Sequence, residues 1–104
     1  GICYRDGDQI IHNGWRQIMD LSSIPFIYKD LSEFKNRIIY YESSRGCPFS
    51  CSYCLSSIDK KLRFRDTETV KKELQFFIDN KVPQVKFVDR TFNCKHDHAM
   101  AIWK

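Results

Sequence analysis

The spacing of hydrophobic and polar residues changes several times along the chain, and its first segment has the pattern of a β-hairpin. Two runs of strand-forming residues flank the dipeptide Asp6-Gly7. This dipeptide is a strong hairpin signal, because both central residues of such a tight turn need positive φ. We therefore predict strands at about residues 2–5 and 8–12.

From residue 14 to residue 37 the hydrophobic positions follow no regular period. Serines and Pro25 interrupt them, and residues 30–34 have the composition of a single helical turn. We predict a linker or an ordered arm that lies over another part of the protein. Residues 1–37 are accordingly assigned to a hairpin and connector arm.

The next segment predicts a strand, a helix and a second strand, and thus an α/β fold. Ile38–Tyr41 is β-branched and aromatic without alternation, as expected for a strand covered on both faces in a parallel sheet. Asp66 can cap a helix that ends at Asn80, and residues 84–89 predict the second buried strand. A strand, a helix and a strand in this order imply a right-handed parallel unit. The residues that form the hydrophobic face of the helix are Val70, Leu74, Phe77 and Ile78.

Apolar residues return at helical spacing after Asn93 and predict a second helix. The chain starts with Gly1, and Lys104 falls within this helical pattern without a stop signal. We therefore expect a piece of a longer protein, whose open strand edge leads it to self-associate.

Length and composition limit the classes of protein that fit. A chain of 104 residues with 42% hydrophobic and 29% charged residues is typical of one globular domain. A complete parallel barrel needs about 250 residues, so at most part of one is present. The sequence has no signal peptide and no apolar run long enough for a bilayer, so we expect a cytoplasmic protein without a membrane partner.

The net charge of +4 is concentrated in the second half of the chain. Clusters of this size are usually solvated surface, so we expect no nucleic-acid partner. The densest group of positive residues is Lys60, Lys61, Arg63 and Arg65.

The cysteines point to chemistry. There are five, an odd number that does not fit a closed disulfide framework. Cys47, Cys51 and Cys54 have the spacing C-x3-C-x2-C directly after a predicted strand, where ligands of α/β sheets collect. Thiolates are the ligands of iron–sulfur clusters, and three of them leave one iron of a four-iron cluster open. Gly46 and Pro48 favour the sharp bend that such a loop requires.

This motif, with the aromatic Tyr53 directly before its last cysteine, resembles the cluster motif of the radical S-adenosylmethionine enzymes. The resemblance covers about residues 38–93 and implies that residues 38–104 are the N-terminal part of that family's TIM-like barrel. It implies that the three cysteines bind a 4Fe-4S cluster whose fourth iron holds S-adenosylmethionine. The reduced cluster would cleave this cofactor to methionine and a 5′-deoxyadenosyl radical, which abstracts hydrogen from a substrate.

The resemblance also implies roles for two further residues and for partners. Tyr53 would lie against the adenine, and Asp89 would bind the methionine amino group in place of the family's Gly-Gly-Glu-like stretch. A reductant such as flavodoxin or ferredoxin would supply the electron, and the substrate would be a small molecule or a compound that the sequence does not identify. The full-length parent would be an oxidoreductase, whereas the isolated fragment would be inactive because it lacks the later strands.

A narrower resemblance concerns the subgroup in which a cobalamin-binding domain precedes the barrel. It is carried by Tyr4-Arg5-Asp6-Gly7, by Ser23-Ile24-Pro25-Phe26 and by Val88-Asp89-Arg90-Thr91-Phe92. It implies cobalamin in the full-length parent, although the signature Asp-x-His-x-x-Gly is absent from these 104 residues.

Two other interpretations stay open. The cysteine spacing also suits a structural or interaction module that binds zinc, with Cys94, His96 or His98 as a fourth ligand. The chain could also be a fragment without any cofactor.

Arg45 has two possible roles, pairing with Glu42 at the surface or offsetting negative charge around a cluster.

Overall fold

The computed structural model describes residues 1–58 and 60–104. These residues form a small α/β arrangement of three two-stranded sheets and two helices, without a closed barrel. The strands are β1 (Cys3–Asp6), β2 (Gln9–His12), β3 (Ile39–Tyr41), β4 (Ser44–Arg45), β5 (Arg63–Phe64) and β6 (Val85–Phe87), and the helices are α1 (Thr67–Asp79) and α2 (His96–Trp103). Within the described part of the chain, no helix combines the length and hydrophobicity of a membrane span.

The N-terminal hairpin is confirmed, but its turn lies one residue later than predicted. Strands β1 and β2 pair antiparallel, and Asp6 pairs with Gln9. The turn therefore consists of Gly7 and Asp8 rather than Asp6 and Gly7. Gly7 has a φ of +57°, which glycine adopts without steric cost. A turn with glycine at its first central position explains the shifted register.

The connector arm is ordered and packs on α1. It contains two short 3-10 turns, Leu21–Ser23 and Ser32–Phe34, the second at the predicted position. The ring centroids of Phe26 and Tyr28 both lie 5.5 Å from that of Phe77 on α1. Such edge-on and tilted aromatic contacts stabilise beyond the area they bury. Of the two predicted alternatives, a linker and an ordered arm, these contacts support the ordered arm.

The predicted β-α-β unit is present, but its second strand, predicted as buried over residues 84–89, spans Val85–Phe87 and is only half-buried, with Lys86 exposed. Strands β3 and β6 pair in parallel, with Ile39 opposite Val85, and α1 connects them. However, Ile39 and Tyr41 are buried while Tyr40 is 54% exposed, so the prediction of a strand covered on both faces was wrong. The physical reason is that the core lies on one side of the sheet, where Ile39 and Tyr41 pack with α1.

Helix α1 follows the predicted signals except at one position. Its first turn is capped by Asp66, whose carboxylate accepts a hydrogen bond of 2.9 Å from the amide of Thr69. Val70 and Phe77 are buried, but Ile78 is 68% exposed, so its assignment to the core face was wrong. Glu73 occupies that face instead, because positions 70, 73 and 77 form one stripe of the helix.

Glu73 is buried because it pairs with Arg65. The Nε atom of Arg65 donates to Oε2 of Glu73 at 2.9 Å, and Nη2 donates to Oε1 at 2.5 Å. The hydroxyl of Tyr41 donates to the same carboxylate at 2.5 Å. The hydrogen bonds that Arg65 donates to Glu73 raise the pKa of Arg65. Burial, followed by the hydrogen bond that Tyr41 donates to Glu73, raises the pKa of Tyr41.

Arg65 also holds the arm and a loop. Its guanidinium donates to the carbonyl oxygens of Leu21 at 2.5 Å and Ile24 at 2.9 Å. The backbone amide of Arg65 donates to the carbonyl oxygen of Ser43 at 2.8 Å. The side chain is therefore buried, and its assignment to a solvated basic cluster with Lys60, Lys61 and Arg63 was wrong. A charge pair and two backbone carbonyls compensate the cost of removing this cation from water.

We expect the substitution Glu73→Gln to destabilise the chain strongly. It leaves the buried Arg65 cation without its counter-ion, which typically costs about 3–5 kcal/mol. The matched control is Glu68→Gln on the same helix, because Glu68 is exposed and lies 3.4 Å from Lys71. That change should cost less than about 1 kcal/mol. Equal shifts of the urea unfolding midpoints of the two variants would contradict the role given to the buried pair.

Stability should also fall at acidic pH because of His98. This side chain is buried on α2 against the ring of Phe64, and its Nε2 atom has no hydrogen-bond partner among the described residues. Burial lowers the pKa of His98, an effect that Asp89 opposes and Lys95 reinforces. A folded-state pKa below the unfolded value of about 6.5 means that stability is complete above this pH and is lost as the pH falls towards the folded pKa.

The measurement is urea unfolding at pH 7.5 and pH 5.5. The wild-type midpoint should be lower at the acidic pH, and the substitution His98→Gln should reduce this difference. A pH dependence of the same size in both proteins would contradict the assignment.

Candidate functional site

The three clustered cysteines lie on one loop that is closed at its base. Strands β4 and β5 pair antiparallel, with Ser44 opposite Phe64 and Arg45 opposite Arg63. Residues 46–62 therefore leave and re-enter the fold at adjacent points, and we call them the cysteine loop. The sequence-based prediction missed both strands, because two-residue strands leave no periodic pattern. Since β4 follows β3 closely, the loop emerges at the carboxyl end of a parallel strand.

Gly46 marks the tightest point of this base. Its φ is +97°, a value that side chains disfavour, and a Cβ atom there would overlap the carbonyl group of Lys61. The two strands of the loop base can thus approach each other only with glycine at this position. The sequence-based expectation that Gly46 allows a sharp bend is confirmed.

The structure places the three cysteines on the loop without gathering their sulfur atoms. All three are free thiols; Cys51 is exposed, and Cys47 and Cys54 are half-buried. The amide of Cys54 donates to the carbonyl oxygen of Cys51 at 3.2 Å, so these two share one turn. Within residues 1–58 and 60–104, no three His, Cys, Asp or Glu side chains meet in a metal-binding arrangement.

Cys54 lies in surroundings that favour its thiolate. Hydrogen bonds from the amide and hydroxyl of Ser56 lower the pKa of Cys54, and the positive charge of Arg90 adds a smaller effect. The thiolate is the form that binds metals. Three thiols on one loop, none of them in a disulfide, match a metal or cluster with soft thiolate ligands. In the chemistry of their donor atoms, the residues present therefore fit such a group.

Asp89, the residue predicted to bind an amino group, lies at the root of the cysteine loop. Its carboxylate accepts hydrogen bonds from the amide of Ser43 at 2.8 Å, from the hydroxyl of Ser43 at 2.5 Å and from that of Ser44 at 2.8 Å. Tyr53, the residue predicted to contact adenine, is 91% exposed on the loop. Both ligand roles stay predictions.

A cavity of about 420 Å³ adjoins the loop. Arg45 and Glu42 line it as an ion pair with a closest distance of 2.5 Å, which confirms the first of the two roles left open for Arg45. Arg90, in the segment after β6, faces the same space. The residues around this cavity are Glu42, Arg45, Gly46, Leu55, Ser56 and Arg90.

Three larger proteins are similar to part of this chain. A protein of Methanocaldococcus jannaschii, named provisionally as a methylthiotransferase, is 33% identical over 82 residues, which are 74% of this chain and 18% of that protein. An uncharacterized methyltransferase of Pyrococcus horikoshii is 35% identical over 63 residues, covering 58% of this chain and 14% of the relative. The 2-(S-pantetheinyl)-carbapenam-3-carboxylate methyltransferase of Streptantibioticus cattleyicolor is 33% identical over 54 residues, covering 50% of this chain and 8% of the relative.

The chain thus spans less than a fifth of the length of each of these relatives. It matches no protein-family model and no solved structure. Each of the three relatives is named for the transfer of a methyl or methylthio group.

We expect the substitution Gly46→Ala to open the base of the cysteine loop. The added Cβ would clash with the backbone of Lys61 in addition to the strain at positive φ, and we expect a loss of about 3 kcal/mol. Gly7→Ala is the matched control, since Gly7 also has positive φ but a Cβ atom there would meet none of the described residues within 4 Å. That change should cost about 1 kcal/mol.

Urea unfolding gives the two free energies, and site-resolved alkylation gives the exposure of Cys47. Only Gly46→Ala should speed alkylation of Cys47. Equal losses of stability with unchanged alkylation would contradict the proposed close approach.

Proposed function

We propose that this chain is the cluster-binding part of a radical S-adenosylmethionine enzyme. Cys47, Cys51 and Cys54 would hold a 4Fe-4S cluster with one iron left open for S-adenosylmethionine. The single observation that carries this proposal is that all three cysteines lie on one closed loop at the carboxyl end of β3. Such a loop can wrap one side of a compact cluster and leave the other side accessible.

The relatives support the use of S-adenosylmethionine. Their names describe methyl and methylthio transfer, and this cofactor is the common biological source of methyl groups. When bound to the reduced cluster, which would donate one electron, it would supply a 5′-deoxyadenosyl radical for hydrogen abstraction. The names support an enzyme, and the cysteine motif favours the radical class among enzymes that use this cofactor.

The protein's own residues would bind and orient these groups. The exposed ring of Tyr53 is free to pack against an adenine, directly before Cys54 on the loop. Arg90 brings positive charge to the space beside Cys54, where it favours the thiolate and any anionic ligand. The closed base formed by β4 and β5 holds the loop in place, so that ligand binding does not have to order its ends.

The remaining parts of the proposal concern the full-length protein. Residues 1–37 would be the connector and residues 38–104 the start of a barrel whose later strands complete the substrate cavity. A flavodoxin or ferredoxin would reduce the cluster, and a cobalamin-binding domain would precede the connector. The substrate would be a small molecule that receives the methyl or methylthio group.

A structural zinc site is the second candidate function, and one observation favours it. Cys94 shares a turn with Thr91, a residue that contacts the loop: the amide of Cys94 donates to the carbonyl oxygen of Thr91, and the hydroxyl of Thr91 is 3.9 Å from the sulfur of Cys47. Cys94 could therefore complete a set of four cysteine ligands for zinc.

Anaerobic reconstitution with iron and sulfide distinguishes the two functions. We expect about four irons per chain with broad visible absorption, and loss of this uptake in Cys47→Ala, Cys51→Ala and Cys54→Ala. Cys3→Ala is the matched control on the N-terminal hairpin, and it should bind iron like the wild type, as should Cys94→Ala. One tightly held zinc per chain, no iron uptake and dependence on Cys94 would contradict the proposal and establish the zinc module.

A further inference from the structure

The segment after β6 supports the start of the cysteine loop. Asp89 is the second residue after this strand, and within the described part of the chain its carboxylate accepts hydrogen bonds from Ser43 and Ser44. These serines are 0% and 3% exposed and lie between β3 and Gly46. A single carboxylate thus joins the ends of the two parallel strands at the point where the loop begins.

We propose that Asp89 is a positioning residue that fixes the root of the cysteine loop and thereby determines where Cys47 is presented. This inference rests on the proposed function, because it concerns the loop that would bind the cluster. Charge-assisted hydrogen bonds are about twice as strong as neutral ones, and here two of the three donors belong to the fully buried Ser43. Removing the carboxylate would leave these donors unpaired.

The hydrogen bonds that the Asp89 carboxylate already accepts favour a positioning role over direct contact with a ligand. Two carboxylate oxygens offer about four acceptor sites, and three are occupied by the serines. The resemblance to the radical enzymes assigns the same residue to the amino group of the cofactor. The two roles lead to different results when cluster loading and cofactor binding are measured separately.

Two further contacts make the segment a firm support. The ring of Phe92 packs 5.0 Å from that of Phe87 on β6, which ties the segment back to the sheet. The hydroxyl of Thr91 lies 3.9 Å from the sulfur of Cys47, so the segment touches the first cysteine as well as the loop root. Asp89 and Thr91 therefore act on the same end of the loop.

The test uses the full-length protein with the variants Asp89→Ala, Asp89→Asn and Ser44→Ala. Ser44→Ala removes one hydrogen bond from Asp89 and no group that a cofactor would contact. After anaerobic reconstitution, iron per chain should fall at least threefold in Asp89→Ala, with smaller losses in Ser44→Ala and Asp89→Asn. The affinity of the loaded fraction for S-adenosylmethionine should stay within twofold of the wild type. Asp8→Asn, on the turn of the N-terminal hairpin, is the control and should load normally.

The opposite result would overturn the inference. Normal iron loading in all variants, with weaker cofactor binding only in the two Asp89 variants, would make Asp89 a ligand of the cofactor. If Asp89→Ala fails to fold, iron loading and cofactor affinity in Ser44→Ala and Asp89→Asn distinguish the two roles in the same way.

A separate measurement does not depend on the cluster. In the metal-free protein, the amide of Ser43 should exchange with solvent at least tenfold faster in Asp89→Asn, while the amide of Val70 in α1 is unchanged. Unchanged exchange at Ser43 would overturn the positioning role. If the wild type binds no iron but the Ser43 amide still exchanges faster in Asp89→Asn than in the wild type, the proposed function is refuted while the structural role of Asp89 stands.

Discussion

One buried cation, the guanidinium of Arg65, connects the parts of the chain on which the candidate site depends. It pairs with Glu73 on α1 and binds the carbonyl oxygens of Leu21 and Ile24 in the connector arm. Its own amide continues the pairing of β4 and β5 through Ser43. Because an unpaired buried charge is very costly, these elements must be in place together. The arm, the helix and the loop base are therefore energetically coupled.

The candidate site uses this framework as a support. The cysteine loop is long, but its ends are fixed by the ladder of β4 and β5, by the close approach at Gly46 and by Asp89. Functional residues commonly lie on loops held by a rigid scaffold, which combines access for a ligand with fixed attachment. Here the exposed cysteine and tyrosine lie far along the loop from its base, while the serines at the root are buried.

Much of this arrangement could be predicted from the sequence because its signals are local. The hairpin, the Asp66 cap, the period of α1 and the spacing of the three cysteines each involve a few consecutive residues. The missed features depend on residues far apart: Arg65 pairs across eight residues with Glu73, and Asp89 reaches back to Ser43. The sequence predicted Arg65 as part of a solvated surface and Asp89 as a ligand of the cofactor, because nothing in the local pattern identifies a buried partner for either residue. The wrong prediction for Ile78 has the same cause, since Glu73 is buried on the core face of the helix and Ile78 is exposed.

The most direct test of the account is the fate of S-adenosylmethionine in the full-length protein. Conventional methyl transfer leaves S-adenosylhomocysteine. One-electron reductive cleavage would leave methionine and a 5′-deoxyadenosyl radical, which would become 5′-deoxyadenosine by taking a hydrogen atom from the substrate. With the cluster loaded and reduced under anaerobic conditions, we expect 5′-deoxyadenosine to accumulate, and Cys51→Ala to abolish it. A fully loaded and reduced protein that releases no 5′-deoxyadenosine, or forms S-adenosylhomocysteine alone, would contradict the account.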